Sequence, residues 1–428
     1  MKWLALMFAL AACGDDGGNA SDGGAPDGAE DVGPGSGATI VFHANRLGDR
    51  GPVVYCRDPS GAITQRTDVG NGLGETHVDC PMVAGGSIDV LIDKEQNTAQ
   101  FVSFRHLEPG AVIEADPPVG SSLTDDGTMT ITVPSSPTVA GAASCGTIGG
   151  ASMTSATLHA YSPCDADPEQ VLVTDDAFTP TQYIYLPSAA FTAGGTLDAG
   201  PWQAIGTTPA TYTGLPANVT EVDARVTTIL ASNGGLAYAS IGEVAQAPTA
   251  GTAMLALPVP GGSGVGEATM IYTYEEIGTA TVDEHVALVA QVDALAIDHD
   301  ELPLPRPATV TPTATGVQWT ESGPPGGDFR GVFASWTLGD GTILEWAIFD
   351  DPTSAAGSVT IAPLAAADSD IDLTAAAGTP GLATVEYLDF DAIAGWSDAR
   401  ARIPEIQSLE NAGLAATYRA HETELQSH

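Results

Sequence analysis

Apolar residues in this chain come in short runs, and each run is closed by Gly, Pro, Asp or Asn. Runs of roughly four to eight residues bounded by such punctuation are the pattern of β-strands. With 50 glycines and 30 prolines among 428 residues, few stretches are long enough for a helix. The runs Thr39–His43, Pro52–Cys56, Ala62–Arg66, Glu75–Cys80, Ser87–Ile92 and Thr98–Phe104 come first. Met129–Val133 then alternates cleanly, with Met129, Ile131 and Val133 on one face. A hydrophobic content of 43% supplies enough apolar area for real cores. The expected class is all-β, built of tandem Ig-like β-sandwich domains with a short C-terminal helix.

Three β regions are expected. The first, residues 38–134, has the strand count of an immunoglobulin-like or prealbumin-like sandwich. The second, residues 135–307, carries strands such as Ser155–Tyr161, Glu169–Thr174, Gln182–Leu186, Val219–Val226 and Glu267–Tyr274, and predicts a larger sandwich or barrel. Pro303–Pro307 reads as its closing linker. The third, residues 308–395, contains Gly316–Thr320, Gly331–Thr337, Gly341–Phe349, Ser358–Ile361 and Ala383–Phe390, with a tight hairpin at Gly339–Gly341. Its Trp319, Trp336 and Trp346 predict a shared aromatic core, and a carbohydrate-stacking face is the alternative. In the last region, 396–428, Pro404–Leu425 has helix-favouring composition, with Pro404 suited to a first turn.

Turn residues in the first region carry a resemblance. Val53–Gly61 (VVYCRDPSG), Thr67–Gly70 (TDVG), Val83–Val90 (VAGGSIDV) and Leu107–Gly110 (LEPG) occur in that order. The order is similar to carboxypeptidase-regulatory-like β-sandwich modules of bacterial surface proteins, which implies a non-catalytic scaffold or adhesion-type module over residues 38–134. Asp79-Cys80-Pro81 departs from that pattern and implies an added disulfide.

The N-terminus reads as an export signal. Lys2 is a basic head, Trp3–Ala12 an apolar run too short to span a bilayer, and Leu10-Ala-Ala-Cys13 has the form of a bacterial lipobox. Residues 1–12 are the expected signal peptide, and the Cys13 thiol is the expected lipid acceptor. Residues 13–37, rich in Gly and Asp, predict a disordered acidic tether. Gly14, rather than an acid, follows Cys13, which points to the outer membrane. The whole chain resembles the multidomain surface lipoproteins of myxobacteria.

Charge excludes several partners. Acidic residues number 54 against 13 basic ones, for a formal net charge of -41. Such a surface repels nucleic acid and anionic lipid headgroups. The expected contacts are the membrane, through lipid on Cys13, and an envelope polysaccharide or protein. Beyond Cys13 an even number of cysteines remains: Cys56, Cys80, Cys145 and Cys164. In an oxidising compartment these predict disulfides, with three possible connectivities. The local pairing, Cys56–Cys80 and Cys145–Cys164, keeps each bridge within one expected domain.

No catalytic constellation stands out. G-x-S-x-G is absent, and His421-Glu422 lacks a second histidine one helical turn on, so it is not a zinc motif. No cofactor motif is present. Asp368, Asp370 and Asp372 alternate like the start of a calcium loop, but Leu373 and Thr379 stand where an EF-hand needs Gly and Glu. Asp125-Asp126, Asp165–Asp167, Asp175-Asp176 and Asp298–Glu301 are expected as turn formers, with calcium the alternative. Two further readings stay open: a β-fold carbohydrate-active hydrolase, which needs two facing carboxylates in a groove, and a propeller-like sensor or assembly subunit.

Overall fold

The structure, a computed structural model, describes residues 37–42, 51–70, 75–94, 98–115, 124–136, 138–144, 146–162, 169–232, 235–261, 265–266, 268–277, 281–289, 294–299, 304–313, 316–338, 341–354, 357–360, 379–390, 393–403 and 417–425. Among the described residues strands dominate and helix is confined to a few positions, so the all-β, sandwich-built class read from the sequence is the observed one. Cys13, the tether before Gly37, Cys145, Cys164, Asp165–Asp167 and Asp368, Asp370 and Asp372 lie outside the described residues.

The N-terminal unit holds β1 (Gly37–Phe42), β2 (Val53–Arg57), β3 (Ile63–Asp68), β4 (Thr76–Pro81), β5 (Gly86–Lys94), β6 (Thr98–Leu107) and β7 (Val112–Glu114). The outer sheet has the order β4-β1-β7, with β1 antiparallel to β4 and parallel to β7. β6, β5, β2 and β3 run side by side opposite it. Ile40, Phe42, Val54, Ile88, Val90 and Phe104 fill the space between. The turn at Asp58 is built as its sequence suggests. Its Oδ1 accepts hydrogen bonds from the Ser60 and Ala62 amides at 2.9 and 3.0 Å, and Gly61 takes the positive φ of 83° that closes the turn.

The first boundary falls earlier than residue 134. The seventh strand is β7, a three-residue segment too short to show a pattern. Met129, Ile131 and Val133 are buried together as expected, but β8 (Thr124–Thr132), which carries the first two and leads into the third, belongs to the next unit.

That unit continues with β9 (Ala140–Ala143), β10 (Gly146–Ser152), β11 (Ser155–Ser162), β12 (Glu169–Thr174), β13 (Gln182–Ala189), β14 (Thr196–Asp198), β15 (Gln203–Thr213), β16 (Val219–Ser232), β17 (Gly235–Gln246), β18 (Ala253–Pro260), β19 (Ala268–Ile277), β20 (Thr281–Val289) and β21 (Leu295–Asp298). One sheet has the order β14-β8-β11-β10-β9-β12-β13-β15-β18, with β21 beside β15. Tyr212, Leu255 and Leu257 from it pack against Val222, Ala224, Val226 and Ile271 of β16 and β19. Two sheets face one another across this core. Propeller blades around an axis are absent among the described residues.

The last region supplies β22 (Arg306–Thr313), β23 (Gly316–Ser322), β24 (Phe329–Thr337), β25 (Ile343–Asp350), β26 (Ser358–Thr360), β27 (Thr379–Phe390), a short helix α1 (Trp396–Ala399) that runs on as one tight turn to Arg402, and β28 (Thr417–Leu425). The central sheet has the order β17-β16-β19-β20-β28-β27-β24-β25-β6-β5-β2-β3. It therefore runs across the boundaries expected at residues 134 and 307. The decisive joint is β25 against β6, parallel, in register from Ile343↔Thr98 to Phe349↔Phe104. Over the strands from β27 to β2, one face of this sheet is covered by β4-β1-β7 and α1, the other by β22-β23-β26. Strands covered on both faces need no alternation, and β24 and β25 are buried at most positions.

The C-terminal helix is also shorter and earlier than expected. α1 precedes Pro404, and the second part of the expected Pro404–Leu425 helix is the strand β28, hydrogen-bonded to β20 and β27. Helix propensity is a weak prior; two strand edges with backbone groups to satisfy on both sides outweigh it.

Candidate functional site: a buried charge row

Between the central sheet and the β22-β23-β26 layer, charged side chains line up across six neighbouring strands. Arg57 on β2 pairs with Asp89 on β5, and its Nη1 donates to the Gly61 carbonyl at 2.9 Å. Arg105 on β6 places its guanidinium 5.5 Å from the Trp346 ring centre and donates to the Thr360 carbonyl of β26 at 3.1 Å. Asp350 on β25 pairs with Arg330 on β24 and with His106 Nδ1. Arg330 also donates to the Ser354 carbonyl at 3.2 Å and Oγ at 2.6 Å, and lies 5.5 Å from the Trp319 ring centre. Tyr387 on β27, directly opposite Arg330, donates its hydroxyl to Glu321 of β23 and ends the row.

Electrostatics follow from this alternation. Burial lowers the basicity of Arg105, and the charges of Asp89 and Asp350 offset it. Burial opposes the Arg330 charge too, but Asp350 outweighs it and Arg330 is held above its ordinary value. For Asp350, burial is outweighed by His106 and Arg330, and its carboxyl stays below the usual carboxylate range. The hydrogen bond to Asp350 raises His106 against the effect of burial. Tyr387 is pushed up to about 12, first by burial and then by its bond to Glu321. Three of the chain's few basic residues are thus committed to the interior, which leaves the outside acidic.

This row holds layers together and offers no catalytic geometry. Ser354 Oγ sits on Arg330 and donates to the Asp351 carbonyl at 2.7 Å. A nucleophile would instead bond the histidine. His106 reaches Asp350 through the pairing of β6 with β25, a relation between residues 244 positions apart that no local motif signals.

Trp319, Trp336 and Trp346 form the shared core rather than an open stacking face. All are buried, and Trp336 and Trp346 lie 6.2 Å apart. Each ring nitrogen is satisfied inside: on Glu321 at 3.2 Å, on the Thr313 carbonyl at 2.7 Å, and on Ser103 Oγ at 2.9 Å.

The acidic clusters separate by role. Asp175 accepts from the amides of Thr181 and Gln182 at 2.8 and 3.0 Å, and Asp176 from those of Phe178 and Thr179 at 2.9 and 3.0 Å, so this pair forms its own turn. Asp125 and Asp126 lie within β8 instead of a turn: Asp125 is opposite Tyr161 of β11, and Asp126 falls at the register shift beside it. His299, after β21, pairs with the buried Glu275 of β19, a partnership the sequence did not signal. Asp223 on β16 is pushed up to about 7, first by burial and then by a hydrogen bond to Glu243 on β17. Hydrogen-bonded carboxylates are too close for a glycosidase pair, which needs about 5 Å or more. Among the described residues no group of three or more His, Cys, Asp or Glu is arranged to hold a metal.

The Cys56–Cys80 disulfide is formed, with Cα atoms 5.4 Å apart. Cys80 lies opposite Ala38, at the start of β1. The bridge staples β4 of the outer sheet to β2 of the central sheet, inside the core.

No family model matches the chain, and no curated protein does. Among solved structures it is similar to a tetra-tandem repeat from the extending region of a large adhesion protein, at 12% identity over 82% of this chain and 95% of that one, with a TM-score of 0.13. It is also similar to a streptococcal ancillary pilin, at 11% identity over 61% and 98%, with a TM-score of 0.15. Escherichia coli alpha-2-macroglobulin activated by porcine elastase matches at 11% identity over 92% and 30%, with a TM-score of 0.16. At such scores these likenesses carry no argument about function.

Proposed function

We propose that the protein is a lipid-anchored component of a bacterial cell envelope, held at the outer membrane by diacylglycerol and palmitate on Cys13, with a binding or structural role toward an envelope polysaccharide or protein. The observation that carries this reading is Leu10-Ala-Ala-Cys13, behind a short apolar run and ahead of a Gly- and Asp-rich tether. The disulfide supports it, because such bridges persist in oxidising compartments. A non-catalytic role is supported by the inward use of the ionisable groups: Arg57, Arg105, Asp89, Asp350 and Arg330 are engaged with one another between sheets.

Metabolic labelling with an alkyne palmitate analogue tests the anchor. The full chain, expressed in a bacterial host, should take up label and partition with the outer membrane. Cys13→Ala should lose the label and leave the membrane fraction. Label that survives Cys13→Ala, or an unlabelled full chain, would overturn the reading.

A further inference from the structure

The last strand occupies a slot that the rest of the chain leaves open. β28 is antiparallel to both neighbours, in register with β20 from Thr281↔Thr423 to Ala287↔Thr417 and with β27 from Ala383↔Leu425 to Phe390↔Tyr418. Take it out, and the central sheet parts into β17-β16-β19-β20 and β27-β24-β25-β6-β5-β2-β3, each ending in a bare edge. A bare edge exposes unpaired N–H and C=O groups and is a template for another strand.

The connection into this slot is unusually long. β27 and β28 are adjacent antiparallel strands, for which a hairpin loop of about two to five residues is enough. Residues 391–416 intervene instead. Part of that connection is pinned. Asp328 accepts the amides of Phe390 and Gly395 at 2.8 and 2.7 Å, the Trp396 ring stacks on Phe329 at 6.2 Å, and Ile403 is buried in the N-terminal core. Beyond Ile403, residues 404–416 precede Thr417. At roughly 3.3–3.6 Å per extended residue they can span about 40 Å.

We propose that the slot between β20 and β27 accepts β28 of a second copy, so that neighbouring molecules exchange C-terminal strands. The occupant is a second copy because this sequence and register already match the slot. Exchange makes the same backbone pairs in trans as in cis, so concentration governs the balance. Like charge opposes close approach at -41 per chain, so screening by salt favours exchange. Copies linked in this way would form assemblies without a separate interface. The inference stands apart from the lipid anchor and survives if that fails.

A cysteine pair on facing positions tests it. Val385 lies opposite Thr423. Two full-length chains, one carrying Val385→Cys and the other Thr423→Cys, are unfolded together, refolded at high protein concentration and raised salt, and oxidised. Non-reducing gels should show a dimer that neither variant gives alone, and that fades when refolding is done dilute. The double variant in one chain should close internally and run as a faster monomer when refolded dilute. Internal closure of the double variant without any dimer from the mixture would overturn the proposal. Failure of the double variant to close would overturn it too, since β28 would then not lie beside β27.

Discussion

Arg330 and Asp350 lie directly opposite one another on β24 and β25, with only 1% and 3% of their side chains exposed. A buried pair of this kind is costly to break from one side, because the remaining charge has no solvent to compensate it. Arg330→Met should therefore destabilise the fold by about 3–5 kcal/mol, read from urea unfolding. Adding Asp350→Leu should recover most of that loss. A double variant as unstable as the sum of both singles would show that the pair is not the interaction at stake.

Stability should depend on pH through identifiable groups. His106 is raised above 6.5, so its contribution is complete below 6.5 and is lost as pH rises through the higher folded value. Asp350 is held below 3.8, so its contribution is present above 3.8 and is lost as pH falls through the lower folded value. Asp223 is raised from 3.8 to about 7, so it favours the folded state at low pH and that benefit fades as pH climbs from 3.8 to 7. Asp223→Asn should flatten the stability profile between pH 4 and 7, and His106→Ala should flatten it above 6.5. Unfolding midpoints across this range check both; an unchanged slope in either variant would remove that group from the account.

How much of this was legible in the sequence depends on the range of the interaction. Punctuated runs mark strands such as Glu169–Thr174 and Gly331–Thr337 correctly, since alternation and turn residues are local. The three tryptophans were placed in one core, and Cys56–Cys80 was paired by proximity. The joint of β25 with β6 was not visible, because two apolar strands carry no label for their neighbour when both faces are buried. The charge row was hidden for the same reason: Arg105, Arg330 and Asp350 look like ordinary strand charges until register sets them side by side. β28 looks helical in sequence because Glu, Ala and Leu favour helices until two strand edges claim the segment.

Both half-cystines of Cys56–Cys80 have no exposed surface. Reductant alone should leave the bridge intact, and reduction should proceed once denaturant opens the core. Cys56→Ala with Cys80→Ala should cost about 3 kcal/mol by the loop-closure estimate. Mass mapping of unreduced peptides, with and without denaturant, reads the first; unfolding reads the second. Rapid reduction of the native protein would contradict the buried staple.

Tryptophan emission distinguishes a closed core from a sugar-stacking face. Trp319, Trp336 and Trp346 are buried, so their emission should be blue-shifted and unmoved by added oligosaccharides. Trp336→Ala should cost about 3–5 kcal/mol as a large core truncation. A saturable change in emission with a soluble polysaccharide would place one of these rings at a binding surface.

The N-terminal strands and the strands of the last region form one folded body, joined where β6 meets β25. Hydrogen exchange read by mass spectrometry in rising denaturant tests it most directly. Peptides covering Thr98–Leu107 and Ile343–Asp350 should lose protection in a single step, at the same denaturant concentration. Loss of protection in two separate steps would mean independent domains, and would contradict the shared sheet.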